Sequence, residues 1–199
     1  MNYLAHLFLA ENSSGSILGS LMGDFVKGPL GDDFPRGILE GILTHRKIDS
    51  FTDSHSIVIE SKRLISQPRR RYAGIIVDVS FDHFLAKNWS DYSNEGLRAF
   101  IERVNCILID HIQLLPEKLR SIIPRMVAED WLGTYNTVEG IGSILDRISG
   151  RLRNGNKMQG AVSELELNYE KLEQYFKIFL PELISFVEAY RNYISERHS

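Results

Sequence analysis

Apolar residues recur at spacings of three and four along most of the chain, which is the period of a helix with one buried face. Alternation of apolar and polar residues, typical of half-buried strands, is scarce. The spacing predicts helices at about 2–10, 15–27, 35–51, 56–66, 72–88, 94–114, 117–130, 138–149 and 165–193. Their boundaries are expected at N-cap residues and helix breakers: Ser13 or Ser14, Gly28-Pro29, Asp32 or Asp33 before Pro35, Ser93, Pro116 and Thr137. We therefore expect an all-α helical bundle, with residues 1–199 forming one domain.

The last predicted helix carries the most regular apolar repeat. Two interleaved sets of residues are seven apart: Leu165, Leu172, Phe179, Phe186 and Tyr193, and then Tyr169, Phe176, Leu183 and Tyr190. Such a repeat suits either a face that packs on the chain's own core or the contact of a coiled-coil dimer. Pro181 would kink or interrupt the repeat, which favours packing within the domain. The expected state is a monomer or a weak homodimer.

Composition narrows the class of protein. The chain has 199 residues, 43% hydrophobic and 25% charged, with a formal net charge of −3; this is ordinary for a globular domain and argues against a nucleic-acid-binding surface. Cys106 is the only cysteine, which excludes internal disulfides and thiolate metal sites and suits a reducing cytoplasm. The opening MNYLAHLFLAEN lacks the basic start of a secretory signal, and no apolar run approaches a membrane span.

Acidic and imidazole side chains concentrate in two predicted helices. His45 and Asp49 lie one turn apart, as do Asp78 and Asp82, and His83 follows directly. Ligands of this kind without thiolate suit Mn²⁺, Mg²⁺ or Fe²⁺. A surface hydrogen bond for the first pair, or a salt-bridge network for the second, would also satisfy these groups. The second pair favours a metal, because AGIIVDVSFDHFLA is otherwise nearly all apolar and buried carboxylates need a partner.

Three further features bear on the chemistry. Asp24 lies between Gly23 and Gly28, where the backbone could approach an anion closely or simply end a helix. His6 lies in an apolar stripe, where a histidine satisfied within the core is the simpler interpretation. Basic residues gather between the two acidic helices, either as solvated surface or as a site for an anionic substrate or an acidic protein partner: Lys62, Arg63, Arg69, Arg70 and Arg71.

Four segments in this order resemble the bacterial acyl carrier protein phosphodiesterase family: MNYLAHLFLA, GDFVKG, LTHRKIDSFTDSH and RRRYAGIIVDVSFDHFLAKNW. The resemblance covers Met1 to about Trp89. It implies hydrolysis of the phosphodiester that joins 4′-phosphopantetheine to a serine of holo-acyl carrier protein, with a divalent metal, typically Mn²⁺, in fatty acid metabolism. It also implies a distant relation to the all-α HD-type phosphohydrolases, although this chain has the reversed order Asp82-His83.

On this resemblance we expect a metal site and a neighbouring phosphate site. The metal ligands are expected among His45, Asp49, Asp82 and His83, with Asp24, Asp78 and His6 as further candidates. Asp78 or His55 would position water or protonate the leaving group, and Arg46 with the 69–71 run would hold phosphate or partner carboxylates.

Two other functions fit the same residues. An HD-like hydrolase of a nucleotide or another small phosphate ester would share the metal cluster but would not need the basic run. A non-catalytic helical protein would bind an acidic partner through 62–71 and dimerise through 165–193. The second alternative predicts that no metal is bound.

Overall fold

Helices account for all the regular secondary structure in the described part of the chain, residues 1–30 and 34–197 of a computed structural model. The α-helices are α1 (Tyr3–Phe8), α2 (Ser14–Met22), α3 (Arg36–Ser54), α4 (Ser56–Leu64), α5 (Ala73–Lys87), α6 (Leu97–Asp110), α7 (Glu117–Ala128), α8 (Val138–Ser149), α9 (Val162–Leu167) and α10 (Tyr169–Arg197). Short 3₁₀ helices lie at Gln67–Tyr72, Trp89–Asp91, Ile112–Leu114 and Gly133–Asn136. The all-α prediction is confirmed, and none of these helices has the length and hydropathy to cross a bilayer.

Capping explains where several helices begin. The Ser13 hydroxyl accepts the N–H of Ser16 at 3.2 Å, and Thr137 accepts that of Gly140 at 3.1 Å, so both predicted caps are confirmed. The predicted start of the sixth helix was wrong. The Ser93 hydroxyl accepts the Glu95 N–H at 3.1 Å and forms a turn, and α6 begins only after it.

The predicted ends also need correction. Helix α2 stops at Met22 rather than near residue 27, and α6 stops at Asp110 rather than near 114. Pro35 precedes α3 rather than lying within its first turn. Asp32 and Asp33, the expected caps of α3, lie outside the described residues.

Helix α5 lies at the centre of the core and contacts α1, α4, α8, α9 and α10. Its apolar side chains point in nearly every direction, as expected for a helix surrounded by others. Ile76, Val79, Phe81 and Phe84 are all inaccessible to solvent. The carboxylate of Asp82 is therefore buried among apolar groups, and it must find partners within the protein.

The regular repeat of α10 packs mostly on the chain's own core. Leu172, Phe176, Phe179 and Leu183 are fully buried, which confirms packing within the domain for this part of the seam. Pro181 does not interrupt the helix. It lies on the exposed side, where water can satisfy the carbonyl that loses its helical partner.

Helices α2 and α3 approach so closely that their backbones touch. Each helix presents glycines four residues apart at the crossing, Gly15 and Gly19 on α2 and Gly37 and Gly41 on α3. A methyl group on Gly41 would lie 2.8 Å from the Ser16 carbonyl oxygen and 2.9 Å from the Gly19 Cα. The crossing therefore needs glycine at its centre.

Gly41→Ala should lower the free energy of unfolding by about 1–3 kcal/mol, the usual cost of overpacking, even though alanine is the better helix former. Gly37→Ala is the matched control, because its new methyl group would meet its nearest atom at 3.5 Å, an ordinary contact. Urea denaturation should show a loss for the first variant and none for the second. Equal stability of both variants would refute the close crossing.

Candidate metal centre

Two histidines and two aspartates meet where α1, α3 and the end of α2 come together. We call these residues the His/Asp cluster: His6, Asp24, His45 and Asp49. The two oxygens of Asp49 each lie 3.1 Å from an imidazole Nε2, one from His6 and the other from His45. Asp24 approaches the Nε2 of His45 at 3.6 Å. The rings are buried while the carboxylates are about half exposed, so the cluster opens to solvent on its acidic side.

The backbone holds His45 in the tautomer that suits a metal ligand. Its Nδ1 lies 2.6 Å from the Ser20 carbonyl oxygen, so Nδ1 donates a proton there and the lone pair of a neutral ring lies on Nε2. This Nε2 is buried and makes no well-aligned hydrogen bond. One ligand atom from each of His6, His45 and Asp49 falls within 4.8 Å of the others. Two imidazoles and a carboxylate whose ligand atoms lie this close fit a divalent cation, which would displace the proton of His45.

The charges of the cluster also favour a cation. Burial lowers the pKa of His6 to about 4, so this ring is neutral at pH 7. Burial opposes a charged His45, but contacts with Asp24 and Asp49 outweigh it and raise the pKa of His45 to about 9. The contact with His45 lowers the pKa of Asp24, and contacts with both rings lower that of Asp49 despite its burial. Without metal, the positive ring of His45 therefore faces two negative carboxylates, and the Met1 ammonium group also interacts electrostatically with Asp49.

Gly23 makes room for the ring of His45 rather than for an anion. A methyl group at Gly23 would collide with the imidazole, which packs directly over this backbone. The two rings of the cluster stack, with centroids 3.8 Å apart and planes 16° apart. Gly28 has φ of +80°, a left-handed turn that glycine adopts without strain, and a Cβ there would meet no atom within 4 Å. Gly23 thus serves the packing of His45, and an anion contact at Gly28 stays a prediction.

Asp82 is directed to the start of α1 instead of the His/Asp cluster. Its Oδ2 accepts the N–H groups of Leu4 at 2.8 Å and Ala5 at 3.4 Å, and its Oδ1 accepts that of Asn2 at 3.2 Å. These bonds satisfy N–H groups that have no partner within the helix. Asp82 thus ties α5 to the short helix that carries His6.

His83 points away from Asp82 because adjacent helical residues differ by about 100° in direction. Its Nδ1 lies 2.8 Å from the Tyr135 carbonyl oxygen, and its Nε2 lies 2.9 Å from the Tyr169 hydroxyl. Both nitrogens thus have hydrogen-bond partners outside the cluster. The structure does not bring Asp82 and His83 to His45 and Asp49, contrary to the expected ligand set.

The three residues expected to assist catalysis each contact another group of the protein. Asp78 pairs with the Met1 ammonium group at 3.2 Å. His55 contacts Glu182 at 3.0 Å. Arg46 donates to the Val26 carbonyl oxygen at 2.8 Å, so it holds the segment that follows Asp24.

The basic run between α4 and α5 is largely committed to internal contacts. Lys62 pairs with Asp53 at 2.9 Å, and Arg63 pairs with Glu60. Arg69 pairs with the buried Glu164 at 3.1 Å and also donates to three backbone carbonyls, at Lys157, Gln159 and Gly160. Arg70 donates to the Arg63 carbonyl at 3.1 Å, and Arg71 is exposed. Arg69 is thus a structural residue, and a docking role for the rest of the run stays a prediction.

The fold and the cluster together describe an all-helical protein with an imidazole and carboxylate site suited to a divalent metal. A sequence model described as acyl carrier protein phosphodiesterase matches residues 1–183. The chain belongs to this family, and it is therefore an enzyme of the phosphodiesterase class.

Curated relatives agree over nearly their whole length. A protein of Yersinia enterocolitica is 34% identical over 186 residues, 93% of this chain and 96% of its own. One from Serratia proteamaculans is 32% identical over 92% of this chain and 96% of its own. One from Photorhabdus laumondii is 32% identical over 94% of this chain and 96% of its own. All three are named acyl carrier protein phosphodiesterase. No solved structure matches, so the predicted likeness to HD-type phosphohydrolases stays a prediction.

Proposed function

We propose that the protein hydrolyses the phosphodiester between 4′-phosphopantetheine and a serine of holo-acyl carrier protein in a metal-dependent reaction. The products are apo-acyl carrier protein and free 4′-phosphopantetheine. The observation that supports the metal dependence is that one ligand atom from each of His6, His45 and Asp49 lies within 4.8 Å of the others, with Asp24 3.6 Å from the Nε2 of His45. The names of the relatives support the carrier protein as substrate.

The ligands we assign are His6, His45, Asp49 and Asp24, and Mn²⁺ suits this nitrogen and oxygen set. A bound divalent ion would lower the pKa of a water molecule and neutralise charge on the phosphoryl oxygens. The protein itself orients the imidazole rings that would bind the ion. Ser20 fixes the direction of His45, and Asp49 spaces the two imidazoles.

Access favours this site for a macromolecular substrate. The exposed fraction is 54% for the Asp24 side chain and 43% for Asp49, while both rings are about 3% exposed or less. A phosphodiester on the surface of a partner protein would therefore approach the cluster from its carboxylate side. The buried rings would remain shielded from bulk water.

Metal removal tests the proposal. Purified protein should release 4′-phosphopantetheine from holo-acyl carrier protein, read as the mass loss of the carrier. EDTA should abolish the release, and excess Mn²⁺ should restore it. Release that is indifferent to EDTA would refute the metal dependence. Metal-dependent hydrolysis of small phosphate esters, with the carrier protein left intact, would refute the substrate.

A further inference from the structure

A tyrosine, a histidine and a backbone carbonyl form a chain of hydrogen bonds where α5 meets the start of α10. The Nδ1 of His83 lies 2.8 Å from the Tyr135 carbonyl oxygen, and its Nε2 lies 2.9 Å from the Tyr169 hydroxyl. A carbonyl oxygen only accepts, so Nδ1 carries a proton. Burial lowers the pKa of His83, so the ring is neutral at pH 7. The lone pair on Nε2 therefore accepts the phenol proton of Tyr169.

Lys87 places a positive charge beside the same phenol. It lies one turn from His83 on α5, and its ammonium nitrogen is 4.8 Å from the centre of the Tyr169 ring. Burial opposes a charged Lys87, but hydrogen bonds with the side chains of Tyr169 and Glu173 outweigh it and raise the pKa of Lys87. The ammonium group thus keeps its proton at pH 7 and would stabilise negative charge on the phenol oxygen.

These contacts are those of an activated nucleophile. A hydroxyl group becomes nucleophilic when a base within about 2.6–3.2 Å takes its proton and a third group orients that base. His83 is the base for Tyr169, and the Tyr135 carbonyl orients it. No residue of the His/Asp cluster takes part in this chain of hydrogen bonds.

The surroundings of Tyr169 favour an uncharged electrophile. Tyr169 is partly exposed and lines an open groove where α9 meets α10. Three carboxylates and two ammonium groups lie around it: Glu166, Glu170, Glu173, Lys87 and Lys171. This balance would repel a negatively charged phosphoryl donor but not the carbonyl group of an ester. Leu167, 80% exposed in the same groove, offers an apolar contact for an acyl group.

We propose that Tyr169 is a second reactive site of this protein, a nucleophile that takes an acyl group from an activated ester. The phenol oxygen bonds to the carbonyl carbon of the ester while the phenol proton passes to Nε2 of His83. The bond between that carbon and the departing oxygen then breaks, and the proton leaves His83 with the departing alcohol. The products are O-acyl-Tyr169 and the free alcohol. The step uses no metal and does not depend on the proposed function.

4-Nitrophenyl acetate is the probe, added to the whole protein at pH 7 in EDTA, with acetylation of each tyrosine followed by peptide mass spectrometry. Tyr169 should react about tenfold or more faster than Tyr175, because a general base usually contributes at least about 100-fold and Tyr169 is only partly exposed. Tyr175 is the matched control: the Lys171 ammonium lies 4.7 Å from its ring centre, and its contacts among the described residues include no histidine. Exposure alone would favour Tyr193, which is 51% exposed. Equal rates at Tyr169 and Tyr175, or the fastest reaction at Tyr193, would overturn the proposal.

Three variants test the roles of the neighbouring groups. His83→Gln can accept the phenol hydrogen bond but cannot take up the proton, so it should slow acetylation of Tyr169 by about tenfold or more. Lys87→Met should also slow it, whereas Lys171→Met, which removes the same charge beside Tyr175, should not. Unchanged acetylation of Tyr169 in a folded His83→Gln protein, or equal effects of the two lysine changes, would overturn the assignment. The Lys87 side chain is 41% exposed, so the lysine pair decides the question even if His83→Gln does not fold.

Discussion

Asp49→Ala should reduce cleavage of holo-acyl carrier protein by more than about 100-fold. Mutation of a residue that only orients a metal ligand already lowers metal affinity or activity by about 10- to 100-fold. Asp49 contacts both imidazoles of the His/Asp cluster with its two oxygens. Its loss would remove one proposed ligand and also the group that contacts both His6 and His45. Direct binding of Mn²⁺, measured by calorimetry on EDTA-treated protein, should weaken together with the rate.

Asp53→Ala is the matched control for this prediction. Asp53 lies one turn further along α3, its side chain is 77% exposed, and it pairs only with Lys62 among the contacts of the described residues. Its removal should leave both the rate and Mn²⁺ binding close to wild type. A mild effect of Asp49→Ala, or equal effects of the two changes, would remove Asp49 from the metal centre.

Asp82→Ala should lower the free energy of unfolding by about 2–4 kcal/mol at pH 6, because buried N–H groups at the start of α1 lose their acceptor. Asp82→Asn is the milder comparison. Leu4 and Ala5 both donate to the same oxygen of Asp82, so one amide oxygen can still accept both. Urea unfolding should rank wild type above Asp82→Asn and Asp82→Asn above Asp82→Ala. Full stability with a selective loss of Mn²⁺ binding would show that Asp82 is a ligand instead.

The stability difference between wild type and Asp82→Asn should depend on pH. Burial raises the pKa of Asp82 to about 7, against the pull of the Met1 ammonium group and the N–H donors, and the unfolded value is about 3.9. The folded protein therefore holds this proton more tightly, and the resulting stability is fully present below about pH 4 and is lost as the pH rises through 7. Between pH 5 and 8 wild type should lose about 2.5 kcal/mol relative to Asp82→Asn. A constant difference would contradict the raised pKa.

Much of the helical fold could be predicted from local spacing because helices repeat every 3.6 residues and end at residues with local signals. Ser13 and Thr137 are caps in the structure, as predicted. Ser93 was wrongly predicted to start α6, because its hydroxyl forms a turn before the helix, a local bond that competes with capping. The glycines of the α2–α3 crossing lie four residues apart in the sequence of each helix. Only the packing of the two helices shows that the two pairs face each other.

The candidate site divides in the same way. His45 and Asp49 share a helical face by their spacing alone. His6 and Asp24 join them only because α1, α2 and α3 pack at one point. The pairing of Tyr169 with His83 likewise became visible only in the folded chain.

Local order along the chain thus determined the helical class, the apolar faces and the first pair of candidate metal ligands, because each depends on residues within a few turns. Packing decided what buried polar groups do. Asp82 and His83 are residue types that often bind metals. Here Asp82 accepts N–H groups of α1, and His83 contacts the carbonyl of Tyr135 and the hydroxyl of Tyr169. A buried carboxylate or imidazole takes the nearest partner that three-dimensional packing provides, and residues far apart in the chain supply that partner.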